Sequence, residues 1–510
     1  MQDFHLFRQF EFHKCVTDLQ IPCRWAPDSG FGYGVPIFNF YTQAPYVLGE
    51  AFHLLGFQII DSIKILFSLS LIGSGIAMYY LAKQIWANDN AAILSSILYI
   101  YAPYRAVDVW VRGALPEALA FVLFPLISLF LYKFIQKNKV KDLLLFSLTL
   151  ALLLLTHNLS LLMFLPFLWI VTVVYILRNK KFNLIPPLLL AGLGAILLSA
   201  FYLIPVAFEG KFINISSTTQ GYYDFRGHFA GIYQLLVSRY WGYGASLFGP
   251  DDRLSLSVGH FQWILPLLSL VFAFIFKNKS FKKILLLTFL GWIALFLTHN
   301  KSAFLWEVVK PMWYIQFPWR FLSVAVFFFS LAGGVLVLVL NKWKYSLWLV
   351  IVGVILWNLP FFKEDIWFQI SDKKQFSGPR WEEQKAASVG DYWPNFGNKL
   401  PSAPAPSQPL VENVAVGEEL IKKTNLAKYK ISLDKESDVL FPIAYFPGWT
   451  SNLGKVYPSG DLGLSTIKLP AGRDQKVVLK FINTPVRTLG NTLTLAALIV
   501  AGLLAKRYGH

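Results

Sequence analysis

The stretch KNKVKDLLLFSLTLALLLLTHN, residues 137–158, decides the fold class. It begins with three lysines, continues as an apolar segment at 142–157 and ends in a His-Asn pair. A straight helix needs roughly 20 apolar residues to cross the hydrocarbon core of a bilayer, and this segment approaches that length. Lysine and arginine concentrate in cytoplasmic loops. The stretch therefore predicts a membrane helix with its basic end inside the cell and its polar end outside.

Similar apolar windows recur along most of the chain. Hydrophobic residues make up 55% of the 510 residues, and the mean hydropathy is +0.50, which excludes an ordinary soluble domain. The sequence thus predicts a polytopic α-helical membrane protein with about eleven spans. The windows are 60–82, 90–104, 115–135, 142–157, 159–177, 184–204, 259–276, 283–298, 320–341, 345–361 and 489–505.

Basic clusters fall in alternate short loops between these windows, as a correct assignment of spans requires. The formal net charge of +17 follows from these loops, so the charge does not indicate nucleic-acid binding. Residues 1–59, 205–258 and 362–487 are expected outside the cell. The clusters are Lys137, Lys139 and Lys141; Arg178, Lys180 and Lys181; Lys277, Lys279, Lys282 and Lys283; Lys342 and Lys344; and Lys506 and Arg507.

The pattern predicts four regions. They are a first extracytoplasmic loop at 1–59, a helical domain at 60–361 with a long outer loop at 205–258, an extracytoplasmic β-rich domain at 362–487, and a final helix with a cytoplasmic tail at 488–510. Within the third region, residues 377–409 are rich in Pro, Ser and Gly and indicate an irregular connector. The segments after it alternate apolar and polar residues and predict a small antiparallel β domain, which serves as a spacer or lid or binds a partner; they are 428–434, 438–446, 464–470 and 475–482.

Cysteine and histidine spacing bears on redox state and metals. Cys15 and Cys23 are the two cysteines, both in the first outer loop, where a disulfide could persist; a disulfide and two free thiols both remain open. No His-x-His, Cys-x-x-Cys or His-Glu-x-x-His pattern occurs, so a preformed zinc site is not expected.

Polar residues are scarce inside the windows and gather at their outer ends and in the outer loops. This placement favours a reaction at the membrane surface over transport through the membrane. Glu117 enters an apolar window five residues after Arg112, which could pair with it, and Arg320 heads another window, where it could reach lipid headgroups or hold a lipid phosphate. The candidate residues are Asp3, His5, Arg112, Glu117, His157, Asn158, Asp224, Arg226, His228, His299 and Arg320.

The chain has no glycine-rich loop that could bind the phosphates of a nucleotide. A reaction outside the cell also has no access to cytoplasmic nucleotides. The expected donor is therefore a lipid-linked one, which carries its activated group within the membrane.

Several motifs together are similar to a known family. They are the first 41 residues, RGALPEALAF at 112–121, LTHN at 155–158 and 297–300, YYDFRGHF at 222–229, QFPWRFLS at 316–323 and YFPGW at 445–449. Over nearly its whole length the chain resembles the YfhO-like, "6-pyruvoyl-tetrahydropterin synthase related" bacterial membrane proteins, which are placed among the GT-C glycosyltransferases.

The resemblance implies transfer of a sugar from a polyprenyl-phosphate donor to an envelope glycan, lipid or protein on the outer face of the cytoplasmic membrane. It implies Asp3 as the general base toward the acceptor hydroxyl, with Arg320, Arg226 and Arg112 as residues that bind donor phosphate. Glu117 would pair with Arg112 or help to bind the acceptor or a divalent cation. A transporter or flippase of lipid-linked sugars and a non-catalytic envelope assembly protein are the alternatives.

The family pattern places a transmembrane helix before the acidic residue, whereas the sequence begins two residues before Asp3. The expectation is that Met1 is an internal start or that the chain is shortened. The full form would then have twelve spans.

Overall fold

The computed structural model describes residues 3–247, 252–339, 346–363, 369–386 and 389–508, and the side chain of Asp3 lies outside the described part. Most of the described chain is helical. The α-helices of eight or more residues are Asp3–Thr17, Ala44–Leu54, Ile59–Trp86, Asp89–Ile100, Leu115–Lys137, Val140–Thr156, Asn158–Asn179, Ile185–Leu198, Ala200–Glu209, His260–Ile275, Phe281–Leu297, Leu322–Gly333, Ser346–Asn358, Gly378–Ala386 and Pro485–Tyr508.

Five helices of the described residues are long and apolar enough to cross a membrane, and two bent pairs raise the number to seven if each pair forms one span. The chain is therefore a multi-pass membrane protein. The five are Ile59–Trp86, Leu115–Lys137, Asn158–Asn179, Pro318–Leu338 and Pro485–Tyr508; the pairs are Phe182–Leu198 with Ala200–Phe212, bent by 74°, and Phe281–Leu297 with Asn300–Val308, bent by 90°.

All eleven predicted windows fall on helices where they are described, but the predicted number of complete spans is not established. Some windows form helices shorter than the membrane is thick. Asp89–Ile100 has 12 residues, and at about 1.5 Å per residue it is shorter than the roughly 30 Å hydrocarbon core. Length and composition thus support between five and seven spans in the described chain.

Two of these helices differ strongly in how much of their surface is buried within the protein. The most apolar window of Pro318–Leu338 is 94% buried, whereas that of Pro485–Tyr508 is only 6% buried. The first is the central helix of the bundle. The second exposes its apolar side chains around almost its whole circumference, as a helix in contact with lipid would.

The last helix is tied to the rest of the molecule by a buried ion pair. Arg487 Nε donates to Glu209 Oε2 at 2.9 Å, and Arg487 Nη2 donates to the carbonyl oxygen of Pro447 at 2.7 Å. The side chains of Arg487 and Glu209 are 0% and 3% exposed. One guanidinium group therefore joins the last helix, the helix Ala200–Glu209 and the β domain.

We expect Arg487→Ala to lower the free energy of unfolding by about 3 kcal/mol, because it leaves the Glu209 carboxylate buried without its cation. Thermal unfolding of the detergent-solubilised protein measures the change. The matched control is Lys399→Ala, which removes an exposed ion pair with Asp461, 2.6 Å long, and should have little effect. Equal stability of the two variants would contradict the prediction.

The predicted β domain is a sandwich of two antiparallel sheets. The strands are β1 Leu410–Val411, β2 Val414–Ala415, β3 Gly417–Lys422, β4 Leu426–Leu433, β5 Ser437–Ala444, β6 Trp449–Ser451, β7 Tyr457–Ser459, β8 Leu464–Leu469 and β9 Gly472–Phe481. One sheet has the strand order β2-β1-β5-β8-β7 and the other β3-β4-β9-β6.

Residues between Phe12 and Tyr46 pack against this sandwich and share its hydrophobic core. The ring of Trp25 lies 5.4 Å from that of Trp449 and 5.1 Å from that of Phe481. Cys15 and Cys23 form a disulfide within the same core, so the disulfide is the alternative that the structure contains. The two segments, far apart in sequence, therefore form one extramembrane body.

The prediction of an irregular connector at 377–409 is wrong for its first half, which contains the helices Gly378–Ala386 and Val389–Tyr392. Trp381 explains the difference, because its ring packs 5.3 Å from Phe7 and 5.0 Å from Phe10 on the helix Asp3–Thr17. Burial of these aromatic rings stabilises helical structure that the Pro- and Gly-containing sequence does not favour by itself.

Candidate functional site

A cavity of about 1000 Å³ lies between the bundle and the extramembrane body. The helix Asp3–Thr17 lines it with Phe4, His5 and Arg8, and the bundle lines it with Arg112, Glu117, His157, Asn158 and Arg320. The connector to the β domain adds Asp391 and Tyr392. The cavity therefore collects side chains from segments almost 400 residues apart in sequence.

The cavity lies at the end of the bundle opposite two basic loops. Glu117 stands near the start of the helix Leu115–Lys137, and the basic loop at 137–141 follows its other end. Asn158 begins the helix Asn158–Asn179, which ends beside Arg178 and Lys180. The helices have 23 and 22 residues, so the two ends of each helix lie roughly 30 Å apart.

A buried ion-pair network forms one side of the cavity. Arg112 Nη1 donates to Glu117 Oε2 at 2.7 Å and to Asp108 Oδ1 at 2.9 Å, and the Tyr104 hydroxyl donates to Glu117 Oε1 at 2.6 Å. Asp108 is also 3.9 Å from the buried Arg105. Both oxygens of Glu117 are thus engaged, and the carboxylates are balanced by guanidinium groups.

A π-helical turn at Val107–Val111 carries Asp108 into this network. Such turns widen a helix by one residue and are common at functional sites. The Arg112 guanidinium that follows the turn stacks 4.7 Å above the ring of Trp319. Its plane is therefore held between the ion pairs and an aromatic face.

Arg320 faces the cavity from the beginning of the central helix. Its Nη1 donates to the carbonyl oxygen of Ile315 at 2.8 Å and to Gln316 Oε1 at 3.2 Å. Its Nε is buried and has no hydrogen-bond partner among the described residues. The guanidinium thus keeps donor capacity that an anion in the cavity would satisfy.

Arg8 is a third guanidinium on the cavity wall, and its Cζ lies 3.8 Å from the centre of the Tyr41 ring. Nearby, His5 Nδ1 is 2.9 Å from the Tyr46 hydroxyl. Burial, together with the charge of Arg8, holds the pKa of His5 well below its usual value, so its imidazole is neutral at pH 7. Three arginines and two carboxylates, Glu117 and Asp391, leave the described lining with an excess of positive charge.

His157 and Asn158 stand where two helices meet at the cavity. His157 Nδ1 is 2.7 Å from Ser160 Oγ, and Asn158 Nδ2 donates to the Tyr202 hydroxyl at 3.4 Å. The second copy of the motif, at 297–300, does not reach the cavity. His299 instead accepts a hydrogen bond from the Lys301 backbone at 3.1 Å and closes a turn.

Other predicted residues also lie outside the cavity lining. Arg226 and Asp224 form an ion pair 3.2 Å long, with side chains 52% and 34% exposed. His228 lies behind the wall, 2.9 Å from Ser246 Oγ and 2.6 Å from the carbonyl oxygen of Tyr222. The position of Arg226 therefore does not fit its expected role in binding the phosphate of the sugar donor. Asp3 begins the helix that supplies His5 and Arg8, and its side chain is outside the described part of the chain.

Two charged lining residues, Arg8 and Asp391, were not among the predicted site residues. Arg8 is in a polar stretch whose helical structure the sequence did not reveal, and Asp391 is in the segment interpreted as an irregular connector. Neither marks the end of an apolar window, which was the signal that identified Glu117 and Arg320.

Within the described residues, no group of three or more His, Cys, Asp or Glu side chains is placed to hold a metal ion. The cavity instead offers guanidinium groups, carboxylates and tyrosine hydroxyls. Such a set binds phosphate and hydroxyl groups through hydrogen bonds.

Comparison with protein-family models gives a match that covers residues 38–363. Comparisons with curated proteins and with solved structures gave no significant match. The match confirms the resemblance to the 6-pyruvoyl-tetrahydropterin synthase related proteins and includes Arg112, Glu117 and Arg320. Because it spans well over half of the sequence, the chain belongs to the family described as "6-pyruvoyl-tetrahydropterin synthase related domain; membrane protein".

Proposed function

We propose that this protein is a GT-C type glycosyltransferase that transfers a sugar from a polyprenyl-phosphate donor to an envelope acceptor at the outer face of the cytoplasmic membrane. One observation carries the proposal. Arginines, carboxylates and tyrosines line a cavity of about 1000 Å³ at the end of the bundle opposite basic loops. The charge alternation favours the outer face for that end.

In the proposed reaction, a hydroxyl oxygen of the acceptor forms a bond to the anomeric carbon of the donor sugar. The bond from that carbon to the phosphate oxygen breaks, and its electron pair leaves with the lipid phosphate. The hydroxyl proton passes to a carboxylate acting as general base. Arg320 stabilises the negative charge that develops on the leaving phosphate.

The other charged groups support this arrangement. Both carboxylate oxygens of Glu117 accept close hydrogen bonds, from Tyr104 and from Arg112. This occupancy favours the role of positioning Arg112 over that of accepting the substrate proton. The resemblance to the GT-C glycosyltransferases implies Asp3 as the base, and Asp3 begins a helix whose next residues, Phe4 and His5, line the cavity.

We expect Asp3→Asn to lower the rate of sugar transfer by about 100-fold, because a carboxamide cannot accept the proton. The measurement uses membranes containing the protein, a polyprenyl-phosphate hexose and extracted envelope acceptors, and it compares the variant with the unaltered chain. Asp461→Asn, in an exposed ion pair of the β domain, is the control and should transfer normally. Undiminished transfer by Asp3→Asn would remove Asp3 as the base.

The same membranes test the function as a whole. Transfer of hexose to an acceptor supports the proposal. Movement of the lipid-linked sugar across the bilayer without transfer would identify a flippase, and neither activity would favour a non-catalytic assembly protein.

A further inference from the structure

The wall of the cavity that comes from the extramembrane body has its own chemical character. Asp391 and Tyr392 belong to the short helix Val389–Tyr392 and line the cavity beside Tyr223. All three can form hydrogen bonds with hydroxyl groups, and two offer an aromatic face. This part of the lining lies in the connector to the β domain and in the long outer loop.

This wall is fixed in place by contacts with the outer loop. Ile213 and Pro394 form a β-bridge, and the Asn395 backbone N–H donates to the carbonyl oxygen of Phe212 at 2.9 Å. Trp393, next to Tyr392, is 3% exposed. The residues that directly follow the short helix are therefore anchored, which helps to fix the position of the Asp391 carboxylate.

The Asp391 carboxylate has little of its capacity used by the protein. Within the described part of the chain it accepts one hydrogen bond, from Ser217 Oγ at 3.3 Å, and its side chain is half-buried. Burial raises the pKa of its carboxyl above the usual value, while the hydrogen bond and the charge of Arg8 oppose the rise. A carboxylate with free acceptor positions on a cavity wall can bind further hydroxyl groups.

We propose that Asp391 binds the acceptor, and that this acceptor is an uncharged, polyhydroxylated molecule such as a carbohydrate. This inference rests on the proposed function. A carboxylate accepts two hydrogen bonds at once, which suits neighbouring hydroxyls on a sugar ring, and the rings of Tyr223 and Tyr392 offer faces to its C–H groups. An anionic acceptor would be repelled by Asp391.

The two ligands would then bind to parts of the cavity that come from different regions of the chain. Arg112 and Arg320 of the bundle hold the donor phosphate, whereas the connector to the β domain holds the acceptor. A carboxylate at the acceptor position also disfavours a second phosphate there, so the two ligands are distinguished by charge. The β domain and its connector would thereby select the acceptor.

The test compares an uncharged acceptor with an anionic one of the same shape. Octyl glucoside and octyl glucuronide are the probes, with polyprenyl-phosphate hexose as donor. Asp391→Asn is expected to raise KM for octyl glucoside about tenfold, because a hydrogen bond to a charged group is lost, and to reduce the preference for glucoside over glucuronide. Affinity for the donor, measured by equilibrium binding, should not change.

Asp391→Glu keeps the charge and should retain the preference for octyl glucoside, which separates a binding role from a structural one. Asp461→Asn, also in the extramembrane region, is the control for loss of an aspartate. The inference is overturned if Asp391→Asn leaves KM and the preference unchanged, or if donor affinity falls in parallel with acceptor affinity.

Binding of acceptor can be measured without sugar transfer. If the unaltered protein transfers no sugar, the proposed function fails. Binding of the two octyl glycosides, measured by tryptophan fluorescence, then still tests whether Asp391 binds the acceptor. A preference for the glucoside that is lost in Asp391→Asn supports this role. Equal binding of the two glycosides by the unaltered protein overturns it.

Discussion

Replacing Arg320 with alanine is expected to lower the efficiency of sugar transfer by at least about 1000-fold. Part of the loss is weaker donor binding, since charge-assisted hydrogen bonds to a phosphate contribute about 1.5–3 kcal/mol. The rest is a slower chemical step, because loss of a donor that stabilises developing charge typically lowers the rate by about 100- to 1000-fold. Donor affinity and single-turnover transfer rates measure the two parts separately.

The environment of Arg320 explains why its loss should affect function more than folding. Its Nη1 stabilises the turn before the central helix through the Ile315 carbonyl oxygen and Gln316 Oε1, at 2.8 and 3.2 Å. Gln316 lines the cavity, where water can replace the lost donor. The central helix itself is 94% buried in its most apolar window and is held by packing along its length.

Arg226→Ala is the matched control, because it removes a guanidinium that pairs with Asp224 outside the cavity lining. Its donor affinity and transfer rate should equal those of the unaltered protein. Arg320→Lys keeps the charge without the planar fork and should recover only part of the affinity. If Arg320→Ala is lost from the membrane, or binds donor normally, Arg320 has a structural role and the assignment fails.

The sequence predicts the helices of this fold more reliably than the way they cross the membrane. Hydropathy locates them because burial in lipid demands apolar side chains, whatever the path of the chain. The bend between Ile185–Leu198 and Ala200–Glu209 depends instead on distant residues. The Phe201 backbone N–H donates to Thr494 Oγ1 at 2.9 Å, so a residue of the last helix satisfies a group at the bend.

The residues of the candidate site could likewise be predicted from the sequence only in part. Glu117 and Arg320 could be identified because charged groups at the ends of apolar helices are energetically costly unless they have a use or a partner. Asp391 could not, since the β-bridge between Ile213 and Pro394, far apart in sequence, positions its segment. The sequence also suggested Arg226, which the fold places outside the cavity, because local motifs do not reveal the direction of a side chain.

Arg112→Ala is expected to cause the largest loss of stability, about 3–5 kcal/mol in the free energy of unfolding. Arg112 is the cation nearest to two carboxylates, Glu117 at 2.7 Å and Asp108 at 2.9 Å, which are 1% and 0% exposed. Among the described residues, its removal leaves Glu117 without a salt-bridged cation and Asp108 with only Arg105, at 3.9 Å. Thermal unfolding in detergent and the folded yield in membranes measure the loss.

Paired substitutions show whether the loss arises from unbalanced charge. Glu117→Gln alone should destabilise less than Arg112→Ala, because Arg112 keeps its ion pair with Asp108. The double variant Arg112→Ala with Glu117→Gln should be more stable than Arg112→Ala alone, since one uncompensated carboxylate is gone. Lys83→Ala, which removes an exposed ion pair with Asp89 at 2.9 Å, is the control and should change stability by less than about 1 kcal/mol. An Arg112→Ala variant as stable as this control would show that water solvates the ion-pair network and that Glu117 and Asp108 do not need Arg112 to remain charged on this side of the cavity.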